Sequence, residues 1–261
     1  MSDGAPAVET QVDGNVAVIR LNRPGTFNAL STELITGIGE ALRSFEAEST
    51  VRVVLLEAEG ENFCTGANLK EAKKKREALD DWREFIANGL KVFRSLEQSP
   101  LPVVAAVQGL CLAGGLELVL CCDVVFAAQS ARLGDQHARF GLLPGWGGSQ
   151  RLPRILGLRR ALDLFFSARW VGADEAKAMG LINYVVKDAE LHQRAREHCR
   201  TMANGCPRSL ALMRRLARDG IEKGLEEGLL MEQEQVVTYM LSDDASEGLA
   251  AFEEGRKPCF R

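Results

Sequence analysis

The sequence predicts an α/β fold, with strand-then-helix units to about residue 200 and a helical region after it. Three observations carry this. Short runs rich in Val, Leu and Ile recur at residues 16–21, 51–57, 103–107, 124–127 and 181–186, each of strand length and most followed by apolar residues at helical spacing. Gly and Pro punctuate the junctions, at Gly60, Pro100, Pro102, Gly109, Pro144 and Gly180. From residue 188 onward the pattern is almost wholly helical, interrupted at Gly205, Pro207, Gly220 and Gly224. Residues 1–200 therefore read as a core and 201–261 as a helical region. The units are too dissimilar to count as a sequence repeat, and nothing is low-complexity.

Residues 8–21 form a β-hairpin pattern turning at Asp13-Gly14. A loop follows, and Ser31 is a good N-cap for a helix carrying Leu34, Ile38, Leu42 and Phe45 on one face. Strand 51–57 leads through Glu59-Gly60-Glu61 to residues 70–93, read as one charged helix with the apolar stripe Trp82, Phe85, Ile86, Leu90 and Phe93. Its basic run, Lys73 to Arg76, reads as a solvated helix face, with phosphate binding as the minority reading. Strand 103–107 breaks at Gly109 and again at Gly114-Gly115, and a buried helix is expected over 116–122. Strand 124–127 follows, a loop from 132, a turn at Pro144-Gly145, and helices at 150–156 and 159–166. A short helix closed by Gly180 and the strand 181–186 complete the core.

A chain of 261 residues with 46% hydrophobic and 26% charged residues can bury a sizeable core. Its net charge of −4 supplies no basic field for nucleic acid or a membrane surface. Seven cysteines, an odd number without metal spacing, read as reduced thiols in a reducing compartment. No run reaches transmembrane length. The first ten residues, MSDGAPAVET, lack the apolar core of a signal peptide and the arginines of a transit peptide. A cytoplasmic chain is expected, with a processed organellar chain as the alternative.

The residues around which the rest is arranged run from 103 to 151. Glu117 lies among Leu, Val and Cys directly after Gly114-Gly115. An ionised carboxylate loses its hydration when buried, so this one must be paired, protonated or facing a cavity. Glycines let the chain turn tightly and leave N–H groups free at a helix start. Such donors with a carboxylate one turn on make an acid/base site; the plainer alternative is a glutamate capping its own helix. Asp123 is expected to make a structural hydrogen bond. His192 and His198 are expected at the surface, with no Cys or carboxylate spacing there to support a metal; Asp135 and His137 could form a metal pair, but no third ligand is nearby, so no metal is expected.

The segments LNRPGTFNAL, NFCTGANLKE, AAVQGLCLAGGLEL, FGLLPGWGGSQRLPRILG and EGLAAFEEGRKPCF together resemble the enoyl-CoA hydratase/isomerase (crotonase) family, in the right order over nearly the whole chain. The resemblance implies a spiral of ββα units with a C-terminal helical region that builds trimers or hexamers. It implies an acyl-CoA thioester as substrate, with coenzyme A arriving as part of it and no separate cofactor. It places an oxyanion hole at the backbone N–H groups of Ala67 and Gly114, and the first catalytic carboxylate at Glu117. Phe27, Ala29, Thr65, Gly66, Asn68 and Leu69 would line the coenzyme A path, and Trp146 the rim of the acyl pocket, where a structural aromatic fits equally. Arg256 and Lys257 would reach a phosphate of coenzyme A across a subunit boundary, or remain surface charges.

Hydratases of the family use a second glutamate. Counting back from Gly141, its place here is taken by His137. An imidazole titrates near 6.5 when unperturbed and could do acid/base work, or it could only shape the pocket. Gly25 stands where Lys or Arg is common, Asn68 for Asp, Gln108 for Asn and Ala113 for Gly; none of these removes a backbone donor. The resemblance thus implies an enoyl-CoA hydratase acting through an oxyanion-stabilised enolate. The alternatives are an enoyl-CoA Δ-isomerase using one carboxylate, and a non-catalytic acyl-CoA or RNA-binding member, the last disfavoured by acidic charge and the absence of an RNA motif.

Overall fold

The structure is a computed structural model that describes residues 4–260. β1 (Val8–Asp13) and β2 (Val16–Leu21) form the expected hairpin. Then come α1 (Thr32–Glu46), β3 (Val53–Ala58), α2 (Leu69–Lys75), α3 (Leu79–Gln98), β4 (Val103–Val107), β5 (Leu110–Leu112) and α4 (Gly114–Val119). β6 (Val124–Ala128), β7 (Arg132–Gly134), α5 (Gly148–Leu156), α6 (Leu158–Ser167), β8 (Val171–Gly172), α7 (Ala173–Met179), β9 (Tyr184–Val186) and α8 (Leu191–Ala203) follow. α9 (Pro207–Ile221), α10 (Leu225–Tyr239) and α11 (Asp243–Glu254) end the chain.

Two sheets make the spiral. The larger has the order β1-β2-β3-β4-β6-β9, parallel except for the hairpin. The smaller has the order β5-β7-β8, and the bridges Cys64–Cys111 and Leu30–Ala67 extend it. Each turn places one strand in the large sheet, the next extended stretch in the small one, and then a helix: β4, β5, α4, then β6, β7, α5. This is the ββα spiral the resemblance implied.

The inner strands of the large sheet, β2, β3, β4 and β6, are buried on both faces, so their alternation divides two apolar layers rather than core from water. Ala17, Ile19 and Leu21 of β2 and Val103, Ala105 and Val107 of β4 pack with α1 and α3. Val16, Val18, Val104 and Ala106 pack instead with Leu191, Ala195, Cys199 and Ala203 of α8. Residue 200 lies inside α8, and the chain leaves the sheet at Asn204–Cys206. The single helix expected over 70–93 is two, because Arg76–Ala78 break it. The stretch expected to begin a loop at residue 132 is β7. All seven cysteines are free thiols, and no helix among the described residues is long and apolar enough to cross a membrane.

One buried charge fastens α8 to the sheet. Glu57 of β3 is 1% exposed and accepts from Arg20 Nε at 2.9 Å, from Arg196 Nη2 at 2.8 Å and from the His192 ring at 3.2 Å. His192 is exposed as expected yet engaged, whereas His198 is half-buried and packs against the rings of Phe126 and Tyr184. Burial pushes the Glu57 carboxyl up, and the hydrogen bonds and charges of His192, Arg20 and Arg196 outweigh it, holding the group at about 2. Its folded value lies below its unfolded one, so its stabilisation is present above pH 4.5 and is lost as pH falls towards 2. Glu57→Gln should destabilise the chain by about 3 kcal/mol at pH 7, the lower end for breaking a buried pair because the arginines stay partly exposed. Urea titrations of both proteins should show the difference shrinking between pH 4.5 and pH 2.

Candidate active site

The small sheet delivers the expected residues to one cleft of about 900 Å³. Phe27, Ala29, Thr65, Ala67, Asn68, Leu69, Gly114, Glu117, His137 and Trp146 all line it. Gly66 lies behind the wall, where it turns the chain that presents Ala67. Its φ is +103°, and a Cβ there would come within 3.2 Å of the Gly114 nitrogen and 3.0 Å of the Ala113 methyl. Gly115 is equally constrained, since a Cβ would sit 2.2 Å from the Cys64 carbonyl oxygen. Only glycine lets these two segments touch. Leu112 N–H donates to Cys64 O at 2.9 Å and Cys64 N–H to Leu110 O at 3.0 Å, fixing the register. Among the described residues, neither the Ala67 nor the Gly114 N–H has a hydrogen-bond acceptor within the chain. Two adjacent donors on a cleft wall can accept a developing oxyanion.

Glu117 does not cap its own helix. The residue is 1% exposed, and Oε1 accepts from the N–H groups of Trp146 and Gly148, both at 2.8 Å. Oε2 is buried without a hydrogen bond among the described residues. Burial pushes the carboxyl up, partly countered by the Gly148 N–H, the His137 ring and the Trp146 N–H. Facing Oε2, at 3.8 Å, is Nε2 of His137. The imidazole is held from behind: Asp135 Oδ2 lies 2.8 Å from Nδ1, and Asp135 Oδ1 accepts from the His137 backbone N–H at 3.1 Å. Asp135 and Gln136 are buried. Burial pulls the His137 ring down, and the hydrogen bond and charge of Asp135, with the charge of Glu117, more than reverse this, leaving it raised. Asp135, weighed from the sequence as one half of a metal pair with His137, is instead the group that holds the ring.

Trp146 is both a structural aromatic and a wall of the cleft. It is 3% exposed, with ring centroids 5.5 Å from Phe85 and 5.6 Å from Phe93. Its carbonyl accepts from Arg151 Nη1 at 2.5 Å, and Arg151 is clamped by both oxygens of Glu97, at 2.7 and 2.6 Å. The segment whose N–H groups hold Glu117 is therefore anchored on both sides. Asp123 is structural as expected, accepting from Val103 N, Arg214 Nε and Arg218 Nη2 at 2.7–2.8 Å. Asn68 caps α2 by accepting from Glu71 N–H at 3.2 Å. The basic run is not simply a solvated face, since Lys73 and Arg76, with Lys70, line the cleft. Arg256 is spent within the chain on Glu247 and Glu254. Among the described residues, no group of three or more His, Cys, Asp or Glu could hold a metal.

Comparison with known proteins gives concordant results. The family model described as enoyl-CoA hydratase/isomerase matches residues 11–261. The chain is 35% identical over 246 residues to a short-chain-enoyl-CoA hydratase of Clostridium acetobutylicum, covering 94% of each. It is 34% identical over 251 residues to the mitochondrial methylglutaconyl-CoA hydratase of mouse, covering 94% of this chain and 79% of that one. The crystal structure of an enoyl-CoA hydratase from Bacillus anthracis superposes with a TM-score of 0.93 at 36% identity, covering 97% of this chain and 98% of that one.

The residue beside the Gly114 donor is strained. Ala113 has φ 50° and ψ −117°, a region costing a residue with a side chain about 1–3 kcal/mol. Ala113→Gly relieves that cost against ~0.5–1 kcal/mol of extra unfolded-state entropy. A net gain of about 1 kcal/mol should raise the midpoint of thermal unfolding by roughly 2 °C. A lower midpoint would show that the methyl contacts outweigh the strain.

Proposed function

The chain belongs to the enoyl-CoA hydratase/isomerase family, and from that premise we propose that it is a cytoplasmic hydratase adding water across the double bond of a trans-2-enoyl-CoA. The Glu117–His137 pair, a free carboxylate oxygen and a ring nitrogen 3.8 Å apart on the cleft wall, is the observation that carries this reading. One water can lie about 2.8 Å from both atoms. As its oxygen bonds to the β-carbon, His137 takes one of its protons. The π electrons move onto the thioester oxygen, where the Ala67 and Gly114 N–H groups stabilise the enolate; such donors typically contribute ~100–1,000-fold each. Glu117, its carboxyl raised by burial, gives its proton to the α-carbon. Transfer from His137 to Glu117 then restores the pair.

Phe27, Ala29, Thr65, Asn68 and Leu69 form the coenzyme A wall in this reading, with Gly66 shaping it. Lys70, Lys73 and Arg76 supply the positive charge for its phosphates where Gly25 does not. Trp146 bounds the acyl group. The second catalytic group is then an imidazole instead of a carboxylate. Residues 201–261 carry Ile221, Leu225, Leu241 and Phe252, all at least 72% exposed, and we assign them the subunit contacts of a homotrimer or hexamer. The competing readings are an isomerase in which Glu117 alone moves a proton between carbons, and a binder without turnover.

Steady-state assays on trans-2-enoyl-CoA and 3-enoyl-CoA esters test the proposal. Hydration should dominate, and Glu117→Gln should lower its kcat by at least ~100-fold with acyl-CoA affinity largely kept. Turnover confined to 3-enoyl esters would favour the isomerase, and absence of turnover on either the binder.

A further inference from the structure

We propose that Asp135 is a positioning residue for His137, holding the ring with Nδ1 protonated so that bare Nε2 faces the reacting atoms. The inference deepens the hydratase reading and rests on it. Asp135 grips the same residue twice, through ring Nδ1 at 2.8 Å and through the backbone N–H at 3.1 Å. A carboxylate can only accept, so the proton of that ring contact sits on Nδ1. Rotation of the ring is blocked, because a flipped imidazole would turn a carbon towards the carboxylate. The opposite nitrogen then has one orientation, towards the unpartnered Oε2 of Glu117. The same division of labour, carboxylate behind imidazole, sets the tautomer in hydrolase triads.

Asp135 is itself 2% exposed. The titratable groups facing the ring are Asp135 from its own loop and Glu117 from α4. Arg151 of α5, with Glu97 of α3, reaches Glu117 only through the Trp146 carbonyl. Removing the Asp135 charge therefore takes away the main support of the imidazolium, and the ring should release its proton at lower pH.

The test is Asp135→Asn, read by activity and by imidazole nitrogen NMR. The chain has three histidines, so loss of one signal set in His137→Gln assigns the third. In the wild type above its ionisation, His137 should show Nδ1–H and a bare Nε2. In Asp135→Asn the amide can donate to Nδ1, so the Nε2–H form should appear. kcat for trans-2-enoyl-CoA should fall at least ~100-fold, with KM within about threefold. The ionisation in the kcat/KM profile assigned to His137 should move to lower pH. On a His137→Gln background the same substitution should cost nothing further, whereas a merely structural role would add its full cost. Unchanged tautomer, kcat and pH profile in a folded Asp135→Asn would overturn the proposal. Should that variant fail to fold, the wild-type ring decides: Nε2–H would overturn it and Nδ1–H support it. If the tautomer switches but the wild type does not hydrate, the role of Asp135 stands and the hydratase reading fails.

Discussion

A carboxylate buried to the degree of Glu117 must be given hydrogen-bond donors or give up its charge, and much of the surrounding architecture answers that demand. The donors are the N–H groups of Trp146 and Gly148, on a turn distant in sequence. That turn has to be held at hydrogen-bond distance from a short helix. Packing of Trp146 against Phe85 and Phe93 does so from one side, and Arg151 on the Trp146 carbonyl from the other. Two donors on one oxygen do not fully offset burial, so the carboxyl remains raised. The other oxygen is left as the free one, and its direction is fixed by the first.

The partner across the gap sets the electrostatics. Two carboxylates at such a separation repel, and one of them is forced to keep a proton. An imidazole opposite a carboxylate lets a single proton serve both groups, and their titrations belong to the pair. In this chain the two groups are raised for different reasons: burial for Glu117, the neighbouring Asp135 for His137.

Much of this was legible in the residues. Gly114-Gly115 before a lone glutamate marked the central turn, and Val-rich runs located the large sheet. The two- and three-residue strands of the small sheet carry too little alternation to be recognised, so β7 reads as loop. The break between α2 and α3 has no Gly or Pro to announce it. Asp135 is buried by elements far along the chain: Gln136 beside it donates to the Ala168 carbonyl at 2.5 Å, a contact no local pattern records. His192 likewise owes its engagement to Glu57, 135 residues away.

The anchoring of the Trp146 turn does not end at Glu97. Arg218 of α9 reaches the same carboxylate at 3.5 Å and Asp123 at 2.8 Å, while Arg214 ties α9 to the carbonyls of Leu96, Glu97 and Ser99. A helix outside the spiral thus shares its fastening with the turn that orients Glu117. Heat or a shortened chain that frees α9 would slacken the reaction centre while both sheets remain whole. Inactivation would then run ahead of the loss of secondary structure, and the working lifetime of the protein would be set at its periphery.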